Sequence, residues 1–442
     1  MTPEPTSSKG EAPKVLAPEG PLALGSAYGI ELEYMIVDRK TLAVRPIADQ
    51  LLSVVSGGEP VDFEEGIVAW SNELVLHVIE LKTNGPTPSL AGWASAFQAA
   101  VTRINAELEP MGAMLLPGAM HPFMDPAHET VLWPHDYGEV YRTYHRIFHC
   151  FRHGWANLQS THINLPFAND AEFERLHAAI RALLPLMPAI AASSPVVEGV
   201  VTGVLDRRLD VYCTHQSRIP EAMGLVIPDT YLDQAEYDEK IFVPLRKAAA
   251  ALDPDGLLVP EFLNARGSIA RFQRGAIEIR VLDIQESPRM DLGVALLVTS
   301  VVQALAEERW APIEILHALE TEDLRKTFDA CIASGGEAMI EDSVLLTALG
   351  RGGPMTAADV WRELLEEVRG KSAAWKELGP SIEVILDHGP LARRLLAALG
   401  EAPDHERIEL VWRRLSGCLA DGEAFLPAPA IPAGGPSGRG DG

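Results

Sequence analysis

Gly29-Ile30-Glu31-Leu32-Glu33-Tyr34-Met35-Ile36-Val37-Asp38 alternates with a period of two, and that alternation decides the fold. Ile30, Leu32, Tyr34 and Ile36 fall on one side of an extended chain, as a core face does. Glu31 and Glu33 fall together on the other side. Two adjacent carboxylates repel unless positive charge stands over them. A lone Glu-x-Glu reads as a solvated outer face, because glutamate is rarely buried. It becomes half of a divalent-cation site if other strands repeat the plan.

Other strands do repeat it. Leu74 to Thr83 is rich in Val, Ile and Leu and closed by Asn84-Gly85-Pro86, which predicts a strand. Glu80 stands there in the same parity as Leu74, Leu76 and Val78, so its carboxylate needs Lys82 or a cation. Glu73 has the opposite parity and shares a site with Glu80 only through a turn or a bulge. In Gln159 to Pro166, Thr161, Ile163 and Leu165 share one face and Ser160, His162 and Asn164 the other. In Ile269 to Asp283, Ile277, Ile279 and Val281 form the apolar side, with Glu278 and Arg280 opposite and Arg271 and Arg274 just upstream. The expected fold is α+β: a twisted antiparallel sheet with a polar catalytic face, helices on its other face and a mostly helical C-terminal part.

The chain has 442 residues, 47% hydrophobic and 22% charged, which is a globular composition. A formal net charge of −25 argues against a nucleic-acid or anionic-membrane partner. It leaves room for an anionic small substrate, since metals and a few arginines reverse the field inside one cleft. The cysteines, Cys150, Cys213, Cys331 and Cys418, are widely spaced, which suits a reducing compartment. Met1 to Pro21 lacks the apolar run of a secretory signal, and Val294 to Ala306 is too short an apolar run to span a bilayer. A cytoplasmic protein is expected.

Residues 1–24 and 427–442 are expected to be disordered tails around a single unit, 25–426, made of a catalytic part to 287 and a helical part after it. Helical spacing marks Ile47–Val55, Leu90–Glu109, Tyr137–Trp155, Glu172–Leu184 and Tyr231–Leu252. From Met290 to about Leu419 the pattern is almost wholly helical, broken at Gly350 to Pro354, a scaffold with room for a lid or a homo-oligomer contact. Between Glu198 and Arg208, small residues with Thr202 and the basic pair Arg207-Arg208 suit a loop that approaches a phosphate.

Carboxylates and an imidazole converging on one sheet face are untenable without cations, and hard oxygen ligands suit Mg²⁺ or Mn²⁺ over zinc. Magnesium held by carboxylates completes its shell with water and phosphates. Arg280, Arg271 and Lys82 would then neutralise phosphate oxygens. The constellation predicts nucleotide-dependent phosphoryl transfer on a sheet face, with no Walker-type loop in the sequence.

Gly29 to Tyr34, Val78 to Thr83, Ser160 to Asn164, Ser194-Pro195 with Thr202-Gly203 and Arg207, and Ile277 to Asp283 together resemble the glutamate–cysteine ligase family. More narrowly they resemble its bacterial carboxylate-amine ligase branch, which shares the glutamine-synthetase-type sheet. The resemblance spans Ala27 to Gln285 and implies an ATP-dependent ligase. ATP would phosphorylate the side-chain carboxylate of glutamate, an amine (cysteine by default) would attack the acyl phosphate, and ADP and phosphate would leave. By motif, Glu31, Glu33, Glu73, Glu80, His162 and Glu278 would hold two or three magnesium ions. Arg280 would face the transferring phosphoryl group, with Thr202, Arg207, Arg271, Lys82 and Arg274 lining the ATP or acid pocket. The sequence departs from many relatives in having Asn164 in place of a second His and Phe272 in place of Pro. The rival readings are a guanido-kinase-type phosphotransferase on the same sheet and a non-catalytic nucleotide-binding relative. Relief of repulsion further predicts that Glu31→Gln or Glu278→Gln abolishes ATP turnover with the fold intact or slightly stabilised.

Overall fold

The alternating stretch forms β1 (Gly29–Asp38). In the computed structural model, which describes residues 13–427, the other strands are β2 (Phe63–Glu65), β3 (Val68–Asn72), β4 (Val78–Thr83), β5 (Ala113–Leu116), β6 (Ser160–Pro166), β7 (Val196–Val197), β8 (Val200–Val201), β9 (Ser268–Arg271) and β10 (Ala276–Asp283). The main sheet runs β2-β3-β4-β1-β6-β10-β9, every neighbour antiparallel, and β5 pairs with Met35–Asp38 of β1.

Register follows from the apolar parity. Leu32 stands opposite Leu81 and Thr161, and Ile279 opposite Ile163, so one sheet face is continuous hydrocarbon. It shares one core with the helices Trp93–Leu108, Asp170–Leu183 and Pro288–Ala306. Thr161, the polar residue on that face, donates to Asp291 in the first turn of the last helix (2.7 Å). That helix is long and apolar enough to cross a membrane, yet 83% of its most apolar window is buried inside the protein. It is a core helix.

The predicted architecture is the observed one, with local differences. The strand expected from Leu74 starts at Val78, because Leu74–His77 turns between β3 and β4. Glu73 therefore sits on that connection rather than on a strand. The hairpin β2–β3 and strand β5 went unpredicted, being short and without clean alternation. Tyr137–Trp155 divides into Gly138–Phe148 and His153–Ala156, because His149 takes a left-handed conformation (φ 57°) and closes the first helix. Ile269 to Asp283 is a hairpin, β9 and β10, turned at Phe272 to Gly275. The tail expected to run to Leu24 is laid down from residue 13: Leu16 N donates to Pro86 O (2.7 Å) and Leu24 N to Glu172 Oε2 (2.8 Å). Residues 1–12 and 428–442 of the expected tails lie outside the described residues.

Candidate active site

Antiparallel register turns single parities into rows across the polar face. One row reads Lys82, Glu31, His162; the next reads Ser71, Glu80, Glu33. Gly29 stands opposite Asn164, and a Cβ there would come 3.1 Å from the Asn164 Cβ, so glycine keeps the row beside Glu31 uncrowded. On β10 the register slips between Ile279 and Leu282, leaving Arg280 and Val281 opposite the single residue His162. Such a bulge re-aims a side chain; here it leaves Arg280 beside Glu278 on the site face and brings Asp283 opposite Ser160.

The acids are bonded unequally. Glu31 accepts from Asn164 Nδ2 (3.0 Å) and lies 3.0 Å from His162 Nδ1. Glu33 accepts from Ser160 N (2.7 Å) and Oγ (2.9 Å), with His162 Nε2 at 3.8 Å. Glu80 accepts from Ser71 Oγ (2.7 Å) and faces Lys82 Nζ at 3.2 Å. Glu73, on its turn, has only the adjacent Leu74 N–H (3.2 Å) among the described residues. Glu278 is clasped by Arg271 Nε (2.9 Å) on one oxygen and by Arg280 on the other.

Charge follows these partners. Burial, then the charge of Glu31, pushes the Glu80 carboxyl up to about 7 against the pull of Lys82 and Ser71. Burial, helped by Glu33 and Glu80, pushes Glu73 well above the usual carboxylate range. Burial works against Glu31 as well, but its hydrogen bond to His162 wins and holds it low. Burial would also raise Glu278, yet Arg280 and Arg271 hold it well below the usual range. Burial alone would discharge His162, whereas Glu31 and Glu33 hold it at about 9, so the imidazolium stands among the acids as a cation.

Two groups of ligand atoms, each within 4.8 Å of one another, stand ready for cations: Glu31, Glu80 and His162, and Glu33, Glu73 and Glu80. Glu80 belongs to both and Glu278 to neither. The donor set is oxygen-rich with two high-pKa carboxyls, and it fits hard divalent ions. Because Glu80 keeps its proton below about 7 and His162 is held as the imidazolium, cation binding at these ligands must release both protons. Magnesium should therefore raise the melting temperature more at pH 8 than at pH 6, with heats of binding that depend on buffer ionisation. Equal affinity at both pH values would exclude Glu80 as a ligand.

These groups line one cavity of about 820 Å³, together with Lys82, Arg271, Arg274 and Arg280. Arg274 is exposed at the turn before β10, without an ion pair among the described residues. Thr202 and Arg207 lie outside the lining. Thr202 spends its hydroxyl on Pro195 O and Val204 O (both 3.1 Å), and its loop is the β7–β8 hairpin. Arg207 pairs with Asp210. The phase of the helix Arg207–Tyr212 is set by its cap, Asp206, which accepts from Leu209 N (2.8 Å). That phase turns Arg208 and Tyr212, one helical turn apart, into the cavity instead. Arg208 is buried against Asp283. An i,i+4 Arg/Tyr pair behind an Asp cap was the available signal. Tyr141, Tyr144, His215 and Gln216 also line the cavity unannounced. Asn164, standing where many relatives have a second His, donates through Nδ2 to Glu31.

Solved structures share this fold. Glutamate–cysteine ligase from Francisella tularensis, determined in complex with AMP, superposes with a TM-score of 0.57 at 14% identity over 89% of each chain. A bifunctional glutathione synthetase from Pasteurella multocida gives 0.58 at 11% identity, over 90% of this chain and 52% of that one. This fold, together with a sequence-family match over most of the chain, makes the protein an ATP-dependent carbon–nitrogen ligase of the carboxylate-amine kind. The chain belongs to glutamate–cysteine ligase family 2, whose sequence profile matches residues 27–414. An uncharacterized protein of Archaeoglobus fulgidus is 30% identical over 404 residues, covering 90% of this chain and all of that one. A Rubrobacter xylanophilus protein provisionally named glutamate–cysteine ligase 2-1 is 24% identical over 65% of this chain and 69% of its own length.

Proposed function

We propose that this ligase, acting as a single catalytic unit over residues 25–426, joins the side-chain carboxylate of glutamate to an amine at the expense of ATP, through an acyl phosphate. The observation that carries the reading is the row of acids ending at two guanidiniums that share one carboxylate, Glu278. Arg271 and Arg280 together bring one more positive charge than Glu278 cancels, and both side chains line the cavity. That surplus charge, with Arg280 fixed on the bulge, is placed to meet a phosphoryl group as its charge spreads. Lys82, already turned on Glu80 and Ser71, adds a second cation at the other end of the row.

Magnesium, or manganese, would be held by Glu31, Glu80 and His162 and by Glu33, Glu73 and Glu80, and would supply charge neutralisation to the ATP phosphates. Glu278 orients both arginines, and Ser160 and Ser71 hold Glu33 and Glu80 in place. In the first step the glutamate carboxylate oxygen bonds to the γ-phosphorus and ADP leaves. In the second the amine nitrogen bonds to the acyl carbon, the carbon–oxygen bond to phosphate breaks, and the phosphate carries off the amine proton.

Hydroxylamine, a small nucleophile, should trap the intermediate: ATP, Mg²⁺, glutamate and hydroxylamine should yield glutamyl hydroxamate and equimolar ADP. Phosphorylation of a guanidinium compound with no hydroxamate would move the reaction to the kinase type.

A further inference from the structure

The bulge that carries Arg280 is held from outside the sheet. Arg280 and Val281 together face the single residue His162, so the pairing with β6 is broken there. On the other side β9 begins at Ser268, opposite Ile279, and its ladder runs out just before Arg280. Arg280 N still donates to Gly267 O (3.0 Å). Its carbonyl lies past the ladder and is taken by a side chain: the two terminal nitrogens of Arg208 straddle it at 3.4 and 3.5 Å. A bulged residue loses ladder partners, and it keeps one orientation only where something else holds it. Here that something is the helix Arg207–Tyr212. Arg208 sits on the Arg280 carbonyl, and Tyr212, one turn on, lies beside the Arg280 guanidinium. The Tyr212 hydroxyl donates to Ala265 O (3.0 Å), which leaves its lone pairs for the guanidinium. One face of one short helix therefore meets Arg280 at both its backbone and its charged end.

Arg208 is fixed in turn by an acid outside the cavity lining. Asp283 accepts from Arg208 Nε on one oxygen, and from Ser193 N (2.7 Å) and Ser194 Oγ (2.9 Å) on the other. The Ser194 hydroxyl also accepts from Arg208 N (3.0 Å), so the same serine holds both members of the pair. The side chains of Arg208 and Asp283 are 2% and 0% exposed. Asp206, which caps the helix, is buried beside them. Burial, then the charge of Asp283, pushes its carboxyl well above the usual carboxylate range, so one buried anion faces one buried cation. A closed pair of this kind has no charge left over for a ligand, and its rigidity is what it contributes. Asp283 and Arg280 lie on the same strand, three residues apart. The brace therefore runs from β10 through Asp283 and Arg208 and back to β10 at the bulge.

We infer that Arg208, braced by Asp283, is a positioning residue: with Tyr212 it fixes the bulge at Arg280 and so aims the guanidinium at the transferring phosphoryl group. This rests on the proposed ligase reaction and adds the part that orients Arg280 in it. Arg208→Lys keeps a cation opposite Asp283 but loses the fork that straddles the carbonyl. In full-length protein with Mg²⁺, ATP, glutamate and hydroxylamine, it should lower kcat for glutamyl hydroxamate about tenfold, with KM for ATP and glutamate changed by less than about twofold. Because the loss is routed through Arg280, the same substitution should cost less than about twofold further in an Arg280→Lys background. A role in general packing would give additive losses instead. Should Arg208→Lys not fold, Tyr212→Phe removes one hydroxyl and keeps the ring. It should lower kcat about threefold and show the same non-additivity with Arg280→Lys. Additive losses in the double variant, an unchanged kcat in the folded single variant, or a loss confined to KM overturns the positioning role and leaves the ligase reaction standing. A parent protein that forms no glutamate-dependent hydroxamate overturns both.

Discussion

Glu80→Gln should end magnesium-dependent ADP release, lowering it by about 10³-fold or more, while making the metal-free protein more heat-stable at pH 8. Both effects come from one position. Glu80 belongs to both ligand groups, so its loss empties the shared corner of each. Without a cation the same carboxyl is held up at about 7 by burial and by Glu31, so the native protein favours its protonated form. A group whose folded pKa is raised costs stability as pH climbs from the ordinary carboxylate range through that value. Glutamine removes the cost, worth on the order of 1–3 kcal/mol at pH 8. Melting temperatures in chelator at pH 5 and pH 8 check the sign: the parent should lose stability with pH at this group and the variant should not. A Glu80→Gln protein that still turns over ATP with magnesium would remove the residue from the metal site.

The same logic reverses the expectation for Glu31→Gln and Glu278→Gln. Repulsion among acids suggested that either change would leave the fold intact or stabilised. Yet Glu278 is held low by two arginines and Glu31 by His162, so each is stabilised as a charge. Glu278→Gln strands Arg271 and Arg280 in a largely buried place, a loss of about 3 kcal/mol. The strain lies on Glu80 and Glu73 instead.

Arg280→Lys should lower kcat by about 10²- to 10³-fold while leaving the affinity for ATP nearly unchanged. The guanidinium is held by Glu278 beside the Tyr212 hydroxyl, and its side chain lines the cavity. A lysine keeps the charge but not a planar fork that binds a carboxylate and a phosphoryl group together. Single-turnover formation of the hydroxamate would report the step directly. A loss confined to KM for ATP would make Arg280 a ground-state binder and refute its part in the transfer.

Much of the site was legible because each motif sits on a strand whose apolar parity is unmistakable. Glu31, Glu33, His162 and Arg280 were placed on the polar face by their apolar neighbours alone, whereas Glu80 shared the parity of Leu74, Leu76 and Val78 and stood out only as a carboxylate in need of a partner. Glu73 was assigned by resemblance against its parity; it reaches the acids because the connection between β3 and β4 turns there. Thr202 and Arg207 were misplaced because a Gly- and Thr-containing stretch looked like a phosphate loop. Its glycine serves a hairpin turn, where Glu198 and Gly199 both take positive φ. Arg208, read only as half of a basic pair, turns into the cavity in place of Arg207 because helix phase depends on which residue caps, and Asp206 does so.

The alternation of Gly29 to Asp38 determined by itself that Glu31 and Glu33 share a face opposite the core, since side-chain parity is a property of the local backbone. Register is not local. Which acid meets which cation is set by pairings across 43 to 135 residues of chain and by one bulge at Arg280. The tertiary structure alone therefore decided that Glu80 carries the strain, that Glu278 serves two arginines, and that Arg208 and Tyr212 turn into the cavity.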